Sequence, residues 1–390
     1  MKEKKVNKGK GYIAWVMIMA IGMMLAACSG SGSGGSGEGE QLPKAQKALK
    51  DLEGKVLSTG PYGEKPTPAE EIKLTDDELK EIKGMNATAA IVMHYGGDDW
   101  SRAQINALKT RFEEMGIEVI ATTDADFDPG KQVSDIETVL AKKPDIIISI
   151  PTDPVATADA YRKASEQGVE LVFMDNVPDG FKQGKDYTSV VSADNYGNGV
   201  AAAHLMASNI GGEGKVGAIF HAADFFVTQQ RYEAFKKTIK EDYPDIEIVA
   251  DQGIGGPDFA GQAEEAASAM LTKNADLDGI WAVWDVPAEG VLAAARQAGR
   301  NDLTVTTIDL GTTMAIELAS GGIVKGLGSQ RPYGQGVAEA NLAGYALLDK
   351  KAPPYVALPA LPVTGENVME AWKEVYNQEP PKQVKEAAAE

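Results

Sequence analysis

The stretch TAAIVMHYGGDDWSRAQINALKTRFEEMGIEVIATT, residues 88–123, decides the fold. Ala90 to His94 is a short apolar run, and Ser101 to Met115 follows with Ile105, Leu108, Phe112 and Met115 on one helical face. Glu118 to Thr122 then returns to strand chemistry. A strand, an amphipathic helix and a second strand joined by short turns form a βαβ unit, so the two strands lie parallel. Reading outward, the alternation continues through Pro129 to Ala141, Ile146 to Ile150, Pro154 to Gln167 and Glu170 to Met174. It restarts at Val216 to His221 and runs through Thr228 to Glu241, Ile246 to Asp251, Phe259 to Thr272, Gly279 to Trp284, Pro287 to Ala298 and Thr304 to Asp309. Two doubly wound α/β units result, with their boundary near Ser192-Ala193-Asp194-Asn195.

The N-terminus carries an address. Five lysines between Lys2 and Lys10 precede an apolar stretch from Tyr12 to Leu25, too short for a membrane span, and Leu25-Ala26-Ala27-Cys28 closes it. The tetrad resembles a bacterial lipobox, which implies that residues 1–27 are a signal peptide and that Cys28 is lipidated. Residues 28–41 then hold that Cys and a Ser/Gly linker with the composition of a flexible coil. Residues 42–85 form an extension with a Lys/Leu-rich helix and a second helix opened by the capping box Thr75-Asp76-Asp77-Glu78. No function is assigned to them. Residues 377–390, rich in Pro, Lys, Glu and Ala, are expected to form a disordered tail.

The chain of 390 residues has 43% hydrophobic and 24% charged residues, which excludes a disordered polymer. Its 38 Lys and Arg stand against 57 Asp and Glu, a net charge of −19 that repels nucleic acid. Removal of residues 1–27 takes away five Lys and one Glu, leaving 33 basic and 56 acidic residues, or −23. A single Cys forms no internal disulfide, and no zinc-type Cys/His spacing is present. Gly211-Gly212-Glu213-Gly214 precedes a strand instead of following one, so it reads as a turn and not as a phosphate loop. No metal or cofactor is expected.

In doubly wound sheets ligands sit beyond the C-terminal strand ends. Those ends read His94-Tyr95-Gly96-Gly97-Asp98-Asp99-Trp100-Ser101, Pro151-Thr152-Asp153-Pro154 and Asp175-Asn176 in the first unit, and His221-Ala222-Ala223-Asp224, Trp284-Asp285 and Asp309 in the second. Carboxylates accept from neighbouring hydroxyls, and an indole face covers the C–H face of a sugar ring. The set therefore suits a polyhydroxylated ligand. Trp281 is expected in the core and Trp284 in the cleft, while Phe225 and Phe226 divide between lid and core. His94 and His221 end the first strand of each unit, and a metal role for them is the weaker reading beside ordinary hydrogen bonding.

From Thr88 to Trp372 the chain resembles the periplasmic sugar-binding proteins of the ribose/galactose type, receptors of monosaccharide ABC transporters. The resemblance rests on Asp128-Pro129-Gly130-Lys131-Gln132, Pro151-Thr152-Asp153, Val191-Ser192-Ala193-Asp194-Asn195-Tyr196-Gly197, Gly212-Glu213-Gly214-Lys215-Val216, Ile280-Trp281-Ala282-Val283-Trp284-Asp285, Val305-Thr306-Thr307-Ile308-Asp309 and Gly328-Ser329-Gln330-Arg331-Pro332. It implies two Rossmann-like parallel-sheet lobes of the type I periplasmic binding protein class, joined by a three-crossing hinge near 193–195, 330 and 358–361. The first lobe would comprise 86–193 with 331–358, the second 194–330 with 359–376.

The resemblance also implies the site. Its ring-stacking and polar positions after the first strand fall on Asp98, Trp100 and Ser101. Its binding Asp after the fourth strand falls on Asp175, with Asn176 where an Arg often stands. Its Arg in the helix after the second lobe's first strand falls near Gln229, its Asn-Asp pair on Trp284-Asp285, and its later Asp and Gln on Asp309 and Gln330. Two missing arginines leave a more acidic and more aromatic cleft, which favours a neutral monosaccharide or sugar alcohol over ribose or a sugar acid, with a cationic ligand as the alternative. The implied function is an extracytoplasmic, lipid-anchored, monomeric binding protein that serves an ABC permease and has no enzymatic activity. A receptor reporting to a sensor kinase or chemoreceptor is the alternative.

Overall fold

The computed structural model describes residues 38–223 and 225–389, so Cys28, the Ser/Gly run before Glu38 and Asp224 lie outside the described residues. Ahead of the first βαβ unit stand α1 (Glu38–Leu52), the two-residue strand β1 (Thr67–Pro68) and α2 (Asp76–Met85). The first lobe builds β2 (Thr88–Met93), α3 (Asp99–Met115), β3 (Glu118–Asp124), α4 (Pro129–Leu140), β4 (Ile146–Ser149), α5 (Ala158–Glu166), β5 (Glu170–Met174) and β6 (Ser189–Ala193). The second lobe takes α6 (Asn195–Asn209), β7 (Gly214–His221), α7 (Phe226–Asp242), β8 (Ile246–Ile254), α8 (Phe259–Lys273), β9 (Gly279–Ala282), α9 (Asp285–Gln297), β10 (Thr304–Ile308), α10 (Thr312–Ala319) and β11 (Val324–Ser329). The chain returns to the first lobe for α11 (Pro332–Leu347) and β12 (Tyr355–Leu358), then ends in the second with β13 (Leu361–Val363), α12 (Val368–Tyr376) and α13 (Lys382–Ala387).

The first sheet has the order β1-β12-β6-β5-β4-β2-β3 and is parallel throughout. The second runs β13-β11-β10-β9-β7-β8, parallel except for β13 against β11. The backbone changes sheet after β6, after β11 and after β12. Strand alternation explains the double winding. Ile91, Met93, Ile146 and Ile148 pack on one side with Leu108 and Phe112 of α3, whereas Val92, Ile147 and Phe173 pack on the other with Ile136 of α4 and Tyr161 of α5. Each such buried side chain contributes about 1.5–3 kcal/mol, so neither face can be left bare.

The Thr75 capping box forms as read, with Glu78 N donating to Thr75 Oγ1 at 3.3 Å and Thr75 N to Glu78 Oε2 at 2.7 Å. The tail departs from expectation. Asn377 ends α12 in a left-handed conformation, and α13 follows with Val384 fully buried in the second lobe's core beside α10. One apolar residue among charged ones is a faint sequence signal, yet it anchors the turn, and Lys382 and Glu386 pair across it at 3.1 Å. Trp281 is core, stacked on Phe235 at 4.7 Å between ring centroids. Phe225 reaches the cleft, while Phe226 is half-buried and not core.

Candidate functional site

The C-terminal ends of both sheets open onto one cleft. Asp175 directly follows β5 and Asp309 directly follows β10, equivalent places in the two lobes. Both adopt left-handed backbone, with φ of 54° and 72°, where a side chain other than glycine costs of order 1 kcal/mol or more. Each amide stays in the sheet pattern, Asp175 N donating to Val191 O at 2.8 Å and Asp309 N to Gly328 O at 3.0 Å. The turn directs the two carboxylates into the cleft from opposite lobes.

A buried network joins them. Ser192 Oγ donates to Asp175 Oδ1 at 2.5 Å and accepts from Asn195 Nδ2 at 3.0 Å. Asn195 Oδ1 accepts from Arg231 Nε at 2.8 Å, and Arg231 reaches Asp309 Oδ2 at 3.3 Å. Gln330 Nε2 donates to Asp309 Oδ1 at 2.9 Å. Asp98 caps α3 by accepting from Ser101 N at 2.7 Å, and Asp285, at the start of α9, accepts from Val286 N at 2.9 Å.

Burial raises the pKa of all four carboxyls. Asp175 is pushed up to about 6, with the Ser192 hydrogen bond opposing; Asp285 rises well above the usual range, reinforced by Asp309. Asp98 rises through burial against its Ser101 hydrogen bonds, and Asp309 through burial against Arg231. The histidines move the other way. Burial lowers His94 to about 3 and, with Arg231 beside it, His221 to about 4, so both are neutral imidazoles at neutral pH. Arg231 is the cleft's one cation among the described residues, facing four acids.

Aromatic rings complete the walls. Trp284 meets Phe259 at 4.9 Å and His221 at 5.6 Å, both edge-on, and Trp100 meets His94 at 6.0 Å. Contacts across the two lobes close the mouth: Phe127 packs on Phe259 at 5.2 Å, Phe225 stacks on His94 at 6.4 Å, and Thr312 N and Oγ1 both donate to Asp99 Oδ2 at 2.8 Å. The free cavity left between these walls is about 70 Å³, so the lobes as they stand leave little open room in the cleft. Gln330 Oε1, His94 Nδ1 and Trp100 Nε1 line it, are buried, and have no hydrogen-bond partner in the protein.

Of the residues named from sequence, Asp98, Trp100, Asp175, Trp284, Asp285, Asp309 and Gln330 line this cleft. Three do not. Ser101 is fully buried one turn into α3 and contributes its amide to Asp98. Asn176 turns behind the strand ends, its Nδ2 donating to Pro151 O at 3.3 Å. Gln229 lies on the exposed side of α7, and the guanidinium that enters the cleft is Arg231, two residues on and only 4% exposed. The sequence held the signal: Arg231 shares a helical face with Val227, Ala234 and Thr238, all buried, where an unpaired cation would not survive. One of the two arginines read as lost is therefore present. Among the described residues, no group of three His, Cys, Asp or Glu side chains is placed to hold a metal ion, and no helix is long and apolar enough to cross a membrane.

Residues 89–352 match the family described as "Periplasmic binding protein domain". The D-apiose import binding protein of Actinobacillus succinogenes is 25% identical over 250 residues, covering 64% of this chain and 78% of that protein. The ribose import binding protein of Bacillus subtilis is 27% identical over 193 residues, covering 50% of this chain and 60% of its own length. A crystal structure of a periplasmic solute binding protein from Actinobacillus succinogenes with bound D-allose superposes with a TM-score of 0.65 at 25% identity, over 73% of this chain and 99% of that one. Two α/β lobes closing on an acidic, aromatic cleft, together with a family match over more than half of its length, place this chain in the periplasmic binding protein family.

Proposed function

We propose that the protein captures a neutral monosaccharide or sugar alcohol between its lobes and delivers it to an ABC transporter permease. The observation that carries this reading is the pairing of Asp175 and Asp309, one from each lobe, over a cleft walled by Trp100 and Trp284. Free carboxylate oxygens of Asp98, Asp175 and Asp285 accept hydroxyl hydrogens, Arg231 donates to a ring or hydroxyl oxygen, and an indole covers an apolar ring face. With Arg231 in place, the cleft is less one-sided than two lost arginines would make it, which favours the neutral ligand over a cationic one.

The relatives support transport: two are named import binding proteins, and the structure with D-allose belongs to an ABC transporter. The family and these relatives are solute-binding proteins and not enzymes, and the family belongs outside the cytoplasm. The Cys28 lipobox supports a lipid anchor, with the folded body acting as a monomer. Mass spectrometry of membrane-extracted protein is expected to find Cys28 acylated, and an unmodified thiol there would remove the anchor from this reading.

A thermal-shift screen of pentoses, hexoses, cyclitols and alditols tests the ligand class. A compound that binds only the native state raises its stability with the logarithm of concentration, so any binder in the set reveals itself. A neutral polyhydroxylated hit is expected; a screen in which only amines or sugar acids shift the transition would refute the class.

A further inference from the structure

Residues 42–85 stand outside both βα units, yet they touch both lobes. On the second lobe, Ala45 of α1 is fully buried with Phe235 and Tyr243, and Leu52 packs on Val200 and Ala234. The chain then passes over the first crossing between lobes. Leu57 N and Ser58 N donate to the Asp194 carboxylate at 2.8 Å each, and Ser58 Oγ donates to Asp194 Oδ1 at 2.9 Å while accepting from Tyr196 N at 2.9 Å. Beyond it the segment joins the first lobe: β1 extends the sheet beside β12, Asn341 Nδ2 donates to Ile72 O at 2.9 Å, and Lys350 pairs with Glu78 at 2.7 Å. The segment is a fourth bridge between the lobes.

It attaches one residue before the centre of the cleft's network. Asn195 links the first-lobe carboxylate to the second-lobe guanidinium, through Ser192 to Asp175 on one side and through Arg231 to Asp309 on the other. Its neighbour Asp194 is fully buried, and three of the hydrogen bonds that Asp194 accepts come from Leu57 and Ser58.

We infer that Ser58 is a positioning residue for ligand capture: by holding Asp194, the strap restrains the first crossing, limits how far the lobes part, and keeps Asn195 set between Asp175 and Arg231. The inference rests on the proposed reading of the cleft as the ligand site. A hinge opens by turning backbone torsions at its crossings, and Asp194 cannot turn freely while a segment fixed to both lobes grips its carboxylate. A ligand-free population held near closure spends less of the ligand's binding energy on closing and binds more tightly.

The test reads the ligand-free protein. In the full chain carrying Cys28→Ala, spin labels at Glu166→Cys and Lys273→Cys, exposed sites on α5 and α8, report the interlobe distance by pulsed electron resonance. Ser58→Ala removes the hydroxyl; Asp194→Asn keeps one oxygen to cap α6 but presents an amide to the Leu57 N–H. Each is expected to shift the distribution to longer distances, raising the open-to-closed ratio about twofold to tenfold, the worth of one buried hydrogen bond. A strap that only stabilises would lower the melting temperature of both variants and leave their distances at the parent's, and that result overturns the inference. Because no ligand is present, a failed sugar screen leaves this outcome readable, and unchanged distances leave the proposed function standing.

Discussion

Asp175 and Asp309 show how a single residue reports on function: nothing about a strand end requires a non-glycine residue in left-handed backbone, and the same feature recurs in both lobes. The cost is tolerated where the side chain is wanted. Truncating Asp175 to Ala would leave a ligand hydroxyl unpaired in a dry cleft, and truncating Asp309 would leave Arg231 and Gln330 without their acceptor, each a loss of about 1–3 kcal/mol or roughly tenfold to a hundredfold in affinity. Arg231→Ala should cost at least as much, since it also leaves Asp309 uncompensated, whereas Gln229→Ala should bind as the parent does; calorimetry with the best hit from the screen separates the two, and an effect at Gln229 alone would reverse the correction. The acids also set a pH response of opposite sign for folding and binding. Asp175 holds its proton up to about pH 6 in the fold, and Asp98, Asp285 and Asp309 are raised likewise, while in the unfolded chain such groups release theirs near pH 4. The acids of the folded state thus bind more protons over that window, while His94 and His221, neutral in the fold but protonated below about pH 6.5 in the unfolded chain, pull stability the other way. The acids' share shows against Asp175→Asn, over which the ligand-free parent should gain melting temperature at about pH 5 relative to about pH 7.5. Affinity should move oppositely, weakening below about pH 6 as acceptors become donors. Melting curves and titrations at both values check the pair of signs. The cleft's acids are legible because Asp175 and Asp309 directly follow strands and Asp98 and Asp285 stand where a strand turns into a helix; Arg231 is not, because the resemblance puts its Arg near Gln229, on the exposed side of α7.

At the scale of elements, the site depends on how closely α7 approaches α6. Gly199 makes that approach possible: a Cβ there would run into the Arg231 carbonyl and the Ala234 methyl. Twelve of the fifteen residues of α6 are buried, so the helix cannot retreat. Gly199→Ala should therefore displace α7, cost about 1–3 kcal/mol of stability as overpacking does, and weaken ligand binding by moving Arg231 from Asn195. Chemical denaturation together with a ligand titration tests this, and a variant destabilised but binding normally would show that Arg231 tolerates the shift. Strands and helices of the two lobes could be read because their apolar periods, two and 3.6, are strong over long runs. The tail helix could not, since α13 rests on one buried valine, and α1 and α2 were read as helices without any hint of what their apolar faces meet.

For the whole molecule, the first crossing is readable where the strand and helix alternation restarts and the other two follow from the family resemblance, but the strap over them is not, because its hold is made by backbone amides of Leu57 and Ser58 on a carboxylate more than 130 residues away. The lobes stand closed, and the Asp99 contact with the first turn of α10 is a latch that exists only in that state. Its carboxylate is half-buried, which alone would raise its pKa, yet the hydrogen bonds from Thr312 and Arg102 prevail and keep it below the ordinary range, so it is charged at neutral pH. A ligand touching both lobes adds its contacts to the latch, and binding shifts the population toward closure. Scattering with and without the best hit should show compaction on binding. Asp99→Ala removes contacts absent from the open form and touches nothing in the cleft wall, so encounter should proceed at the parent's rate while release quickens by about tenfold, the worth of charge-assisted hydrogen bonds at a partly exposed site. Stopped-flow dissociation reads this directly. Release at the parent's rate, with compaction intact, would mean that the ligand's own contacts hold the lobes together and that Asp99 only registers their closure.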